Sequence, residues 1–138
     1  MIQGKVFCGG SFGAIWVFDA GHSDSMDPDT YKDAMTGTLS KGGDESTNLE
    51  GEAKKWDYVR VPCLSFLPGL CCPHYDKVQS NGVLRAVDFE GMMLRHSGEI
   101  GFGIDHWAAI SVEEGNYKVL STPGKPGSVN TDGTFSPE

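Results

Sequence analysis

The chain has 138 residues, and 11 Lys and Arg against 19 Asp and Glu leave a formal net charge of −8 with a sequence pI of about 4.8. That length allows one domain, which buries roughly two-thirds of its unfolded surface without disulfide staples, and 38% hydrophobic residues with three Trp exclude a disordered chain. The acidic balance excludes non-specific binding to nucleic acid or an anionic membrane, because phosphate contacts require clustered Lys and Arg.

The opening MIQGKVFCGG has neither the basic nor the apolar region of a signal peptide, and no stretch approaches the ~20 apolar residues of a membrane span. A cytoplasmic protein is expected, and its four cysteines, Cys8, Cys63, Cys71 and Cys72, without paired CxxC spacing, read as free thiols. No metal or cofactor is expected.

In chain order, Lys5–Cys8 reads as a short strand that ends at Gly9 and Gly10, with a helix starting in the apolar run Ala14–Phe18. From Gly21 to Lys55 the composition turns polar, which predicts a long loop with a helical turn at Pro28–Met35 capped by Asp27. Trp56–Pro62 alternates as an exposed or edge strand does. The next segment, Leu64–Cys72, is broken by Pro68 and Gly69, so Leu70–Cys72 is a separate short strand leading to Pro73 and His74. Val83–Leu94 has the spacing of an amphipathic helix, with Val83, Leu84, Val87, Met92 and Met93 as its apolar groups, Ser80 or Asn81 as cap and a close near Gly98. Strands follow at Gly101–Ile104, Ala108–Val112 and Tyr117–Leu120, the last two joined by a hairpin turn at Glu113–Asn116. Residues 122–138 read as a loose tail.

The most informative local feature is Gly9-Gly10-Ser11-Phe12-Gly13, a GxSxG match between a predicted strand and a predicted helix. In a nucleophile elbow such glycines permit the strained turn that projects a serine hydroxyl; alternatively, Ser11 is an ordinary helix N-cap. A nucleophilic serine needs a base. Of the four histidines, His74 follows a strand directly and is the best placed. His96 lies at a helix end, and His22 and His106 each stand beside or near an acid. Asp24 and Asp105 are the acids best placed to orient the base, although spacing does not separate Asp24 from Asp27 and Asp29. His22 with Asp24 is only an HxD pair, too little for a metal.

GGSFGAIWVF, GHSDS at 21–25, LPGLCCPHYD at 67–76, the helix with Arg85 and Phe89, and GIDHWAAI at 103–110 followed by YKVLS together resemble the peptidase E family of serine peptidases, which is related to cyanophycinase. The resemblance runs over residues 4–121 and covers the C-terminal half of such a protein. It implies a glutamine-amidotransferase-like α/β fold with a doubly wound sheet, residues 1–121 forming the partial domain. It also implies Ser11 as nucleophile, His74 as base and Asp24 as third member, with the Phe12 N–H in an oxyanion hole. His22, Asp105 and Arg85 are further active-site candidates, and Arg85 and Arg60 are candidates for holding a substrate carboxylate. The implied reaction is hydrolysis of small peptides with N-terminal Asp; the alternative is a non-catalytic remnant or interaction module of the same fold. A sheet cut beside the Lys5–Cys8 strand would leave an open edge, so self-association or a separate N-terminal half is expected as partner.

Overall fold

The computed structural model describes residues 6–25, 56–127 and 129–132. After Gly10 the chain makes one helical turn, α1 (Phe12–Ile15), and enters strand β1 (Phe18–Ser23). Strands β2 (Val59–Pro62) and β3 (Leu67–Pro73), helix α2 (Arg85–Arg95), strand β4 (Gly101–Ile104), the hairpin β5 (Ala108–Glu113) and β6 (Asn116–Ser121), and strand β7 (Val129–Asp132) follow. The class is α/β. A five-stranded mixed sheet runs in the order β2-β1-β3-β4-β7, and β5 and β6 form a second sheet of two strands. The three central strands are parallel, and both outer strands lie antiparallel to their neighbours.

Several expectations change here. The helix expected in Ala14–Phe18 ends at Ile15, and Phe18 opens β1, because Val17 and the aromatic Trp16 and Phe18 lose side-chain freedom in a helix and fit a pleated surface better. The strand expected at Lys5–Cys8 does not form over its described part: Val6, Phe7 and Cys8 lie outside the sheet, and Val6 is 91% exposed. β1 already has β2 on one side and β3 on the other, so no edge of it awaits a partner there. Gly21–Ser23 belongs to β1 rather than to a loop, and the turn expected at residues 28–35 lies outside the described residues. The tail contributes β7, which closes the sheet beside β4.

Pro68 and Gly69 do not divide β3; they form a bulge in it. Phe18 pairs with Leu67 and Ala20 with Leu70, one residue more on β3 than on β1. Gly69 takes φ 104, and a side chain there would meet the Ile100 carbonyl at 2.5 Å. Its N–H donates to the Asp19 carboxylate at 2.7 Å. In the hairpin, Glu114 and Gly115 both take positive φ, 51° and 81°, as a two-residue type I′ turn requires.

The main sheet separates two apolar layers. On one side Ala20, Leu70 and Cys72 pack with Trp56, Tyr58 and the α2 residues Phe89, Met92 and Met93. On the other, Phe18, Cys71, Phe102 and Ile104 pack with Ile15, and Ala108 and Ile110 of β5 join them. The two-residue period of a strand sends the adjacent Cys71 and Cys72 into different layers. Gly101 and Gly103 alternate with Phe102 and Ile104 for a matching reason: a Cβ at Gly103 would lie 2.5 Å from the Tyr75 ring, and one at Gly101 would crowd Met93 and Phe89.

The buried positions of α2 are Arg85, Phe89, Met92 and Met93, spaced four, three and one residues apart. Val83 and Leu84 precede the helix, and Val87 is 60% exposed, so the inward stripe differs from the one the apolar residues suggest. Asn81 does not cap the helix; its side-chain Oδ1 accepts the Val83 N–H at 3.1 Å in the preceding turn.

Candidate functional site

The five residues from Gly9 to Gly13 form a sharp turn. Gly13 donates its N–H to the Gly10 carbonyl at 2.8 Å and Ala14 to that of Ser11 at 2.9 Å. The chain folds back so closely that a Cβ at Gly9 would lie 1.7 Å from the Gly13 carbonyl oxygen, whereas one at Gly10 or Gly13 would meet nothing. Only the first glycine of the motif is therefore required by contact. Ser11 at the apex has φ 50° and ψ −120°, and its hydroxyl makes no capping hydrogen bond. A non-glycine residue there stores about 1–3 kcal/mol of strain that the surroundings must hold. Ser11 thus holds the N-cap position of α1, as the alternative expected, but its hydroxyl does not cap the helix.

Ser11 lines a cleft of about 880 Å³ together with His74, Asp105 and His106. Its remaining wall is largely apolar and includes Phe18, Phe66, Ile104 and Ile110. Phe12 lies outside this lining, and its ring, 68% exposed, does not crowd the serine. Its backbone N–H stands at the first helical position, where no intrahelical acceptor is available.

His74 follows the last residue of β3 and takes φ 53°. The Tyr75 N–H donates to the Ile104 carbonyl at 3.0 Å, tying this loop to the end of β4. His74 Nδ1 lies 2.8 Å from His106 Nδ1. The His106 backbone N–H donates to Asp76 at 2.7 Å, and the His106 ring meets Trp107 edge to face. Burial, then the positive field of Arg85 and His106, holds the His74 pKa below the usual imidazole value, against a smaller upward pull from Asp24 and Asp76. Burial raises the Asp76 pKa, but the His106 N–H and Lys77 outweigh it and leave the carboxyl below its ordinary range.

The remaining candidates gather elsewhere. His22 is fully buried on β1 beneath α2, its ring stacked on Tyr58 at 4.2 Å and edge to face with Phe89. Its Nε2–H donates to Asp88 at 2.8 Å, and its Nδ1 accepts from Arg85 Nε at 3.2 Å. Arg85, 1% exposed, also donates to the His22 carbonyl at 2.7 Å and lies over the Tyr58 ring. Asp24 faces Arg85 at 3.8 Å, so it acts on His74 through space. Arg60 is held by Glu99 at 2.8 Å, and His96 closes α2 by giving its backbone N–H to Met92 and Met93. Asp27 and Asp29 lie outside the described residues. Among the described residues, no group of three or more His, Cys, Asp or Glu could hold a metal ion.

His22 is neutral and of fixed tautomer, since a proton on Nδ1 would displace the Arg85 donor. Burial, helped by Arg85 and opposed by Asp88 and Asp24, brings its pKa down to about 4. Between pH 6.5 and 4 the unfolded chain therefore binds a proton that the folded chain refuses, so stability is complete above the unfolded value and falls with pH through that window. The loss by pH 4 is on the order of 3 kcal/mol. Urea midpoints should drop between pH 7 and pH 5, and much less in His22→Phe; a parent midpoint unchanged over that range would contradict the assignment.

Sequence reasoning placed Ser11 and His74 in one site but missed the contact between His74 and His106. The signal available was the GIDHW run, in which His106 stands two residues past the end of β4.

No family model matches this sequence, and no solved structure matches it. The chain is similar to the G2/mitotic-specific cyclin-1 of Trypanosoma brucei brucei, 32% identical over 127 residues that make up 91% of this chain and 37% of that protein. It thus spans little more than a third of that relative's length. This finding overturns the resemblance to the peptidase E family: the relative carries a cyclin's name, and no peptidase family is matched. Hydrolysis of peptides with N-terminal Asp, a small peptide as partner, and the alternative of a non-catalytic remnant of that family are withdrawn with it. Among the described residues, no helix is long and apolar enough to cross a membrane.

Proposed function

We propose that the chain carries a nucleophilic serine that forms a covalent acyl intermediate, with Ser11 as the nucleophile and His74 as its base. The observation that carries this reading is the backbone of Ser11, held at positive φ on a turn that only glycine at position 9 allows, with an uncapped hydroxyl in the cleft that His74 also lines. Strain of this kind persists where surrounding contacts enforce it, and it clusters at reactive sites. In the reaction, Ser11 Oγ bonds to the electrophilic centre, its proton passes to His74 and then goes to the leaving group. The Phe12 N–H is the donor nearest in sequence for the oxyanion.

Helix α2 on one side of the parallel strands and α1 with β5 on the other support a doubly wound sheet as the finer description of the fold. Free thiols at all four cysteines support a reducing compartment such as the cytoplasm.

The test is labelling of the purified chain with a fluorophosphonate, in which Oγ displaces fluoride from phosphorus. We expect one adduct, on Ser11, and none in Ser11→Ala. Because the His74 pKa lies below its ordinary value, the base form persists into mild acid, and the labelling rate should decline with a midpoint below about 6.5. An adduct elsewhere, or equal labelling of Ser11→Ala, would sink the reading.

The likeness to a cyclin favours a second reading, a role in the G2/mitotic part of the cell cycle. Depletion that delays mitosis and is restored equally by the parent chain and by Ser11→Ala would favour it over catalysis.

A further inference from the structure

The site needs something to orient its base. A histidine that takes a proton on Nε2 must carry its own proton on Nδ1, and an acceptor must hold that Nδ1–H; in serine triads a carboxylate serves. Asp24, expected in that role, faces Arg85. What stands within hydrogen-bond distance of His74 Nδ1 is the Nδ1 of His106.

We propose that His106 is the positioning residue of this site, its Nδ1 accepting the Nδ1–H of His74 and so keeping the His74 Nε2 lone pair free for the serine proton; this rests on Ser11 being the nucleophile. Two imidazole nitrogens 2.8 Å apart attract only when one proton lies between them, so the two neutral rings must hold opposite tautomers. With His74 as donor, His106 carries its proton on Nε2. That arrangement suits their surroundings: His106 is exposed, so its Nε2–H can be solvated, whereas His74 is half-buried in the cleft that Ser11 also lines. The opposite arrangement would put a proton on His74 Nε2 and leave the serine without a base.

His106 is itself held in place. Asp76 accepts its backbone N–H, the Trp107 ring meets it edge to face, and the Ala108 N–H closes the loop on the Asp105 carbonyl at 3.0 Å. A neutral acceptor differs from a carboxylate in one respect: it orients the base without adding a negative charge to stabilise the imidazolium. The His74 pKa stays below its usual value in agreement with this, since burial, Arg85 and His106 all press downward on it and outweigh Asp24 and Asp76.

The test reads the imidazole tautomers by long-range ¹H–¹⁵N spectra of the whole chain at pH 8, together with the rate of fluorophosphonate labelling. In the parent chain we expect His74 protonated on Nδ1 and His106 on Nε2. His106→Phe, which removes the acceptor from an exposed position, should move the His74 proton to Nε2 and slow labelling by about 10²-fold. His106→Asn, whose Oδ1 stands near the lost Nδ1, should keep the tautomer and most of the rate. His74 protonated on Nε2 in the parent, a tautomer unchanged by His106→Phe, or equal slowing in both variants would overturn the proposal; an unchanged tautomer would transfer the role to a carboxylate such as Asp105. A parent chain that takes no label would sink the nucleophile reading, and the spectra would still decide the histidine pair.

Discussion

Arg85→Ala should destabilise the chain by about 3–5 kcal/mol, the usual cost of removing one partner from a buried charged network. The guanidinium holds both the ring and the carbonyl of His22. Its loss removes a charged donor from two buried acceptors, leaving His22 Nδ1 only the weak Cys72 thiol at 3.6 Å, and opens a void against Tyr58; an unmade buried hydrogen bond is dearer than a made one is valuable. Since whole domains are stable by about 5–15 kcal/mol, the melting temperature should fall by roughly 10–20 °C. Arg60→Ala, which breaks a partly exposed pair with Glu99, should cost no more than about 1 kcal/mol. Equal melting temperatures for the two variants would show that Arg85 is not part of the core.

Gly9→Ala should remove the reactivity of Ser11 without touching the serine. The added methyl would lie 1.7 Å from a backbone oxygen, so the turn must open, and a displacement of about 1 Å at a reacting group can cost 10²-fold in rate. Gly10→Ala, one residue closer to Ser11 with open space around it, should label almost as the parent does. If the two alanine variants label alike, the elbow is not what makes Ser11 reactive.

The parts of the fold that were legible in the sequence are those in which local pattern and tertiary packing agree. The hairpin around Glu114 and Gly115, the strand Gly101–Ile104 and the helix that ends before Gly98 all carry their own turn or cap signals. Legibility failed where one layer overruled the local pattern. Ala14–Phe18 reads as the start of a helix, yet the helix stops at Ile15 and Phe18 already belongs to the sheet. Pro68 and Gly69 read as a break, yet a bulge accommodates them because the Asp19 carboxylate receives the Gly69 N–H. Arg85 reads as a polar residue near a substrate, and only the buried ring of His22 shows why a charge belongs inside.

Within the site, Ser11 and His74 were legible because each sits beside an abrupt change of pattern: paired glycines in one case, Pro73 in the other. The partnership of His74 with His106 was not, because it joins residues 32 positions apart and depends on how the ends of β3 and β4 lie side by side. Family resemblance drawn from short motifs misled for a related reason. Motifs of a few residues record local turns, whereas the likeness to the trypanosome cyclin extends over 127 residues.

Cys71 and Cys72 are neighbours along the chain but look out on different worlds. Burial pushes the Cys72 thiol up to about 12 and that of Cys71 higher still, each reinforced by its neighbour's field or by nearby acids and opposed by Arg85. Both are therefore poor nucleophiles in the folded chain. Because the strand faces them apart, they cannot join in a ring disulfide without one of them crossing the sheet. Oxidative damage to either thus requires its own layer to part: α2 must lift to expose Cys72, and the Ile15–Phe102 side must loosen to expose Cys71. A single dipeptide in the middle strand is in this way a two-channel record of which side of the molecule opened.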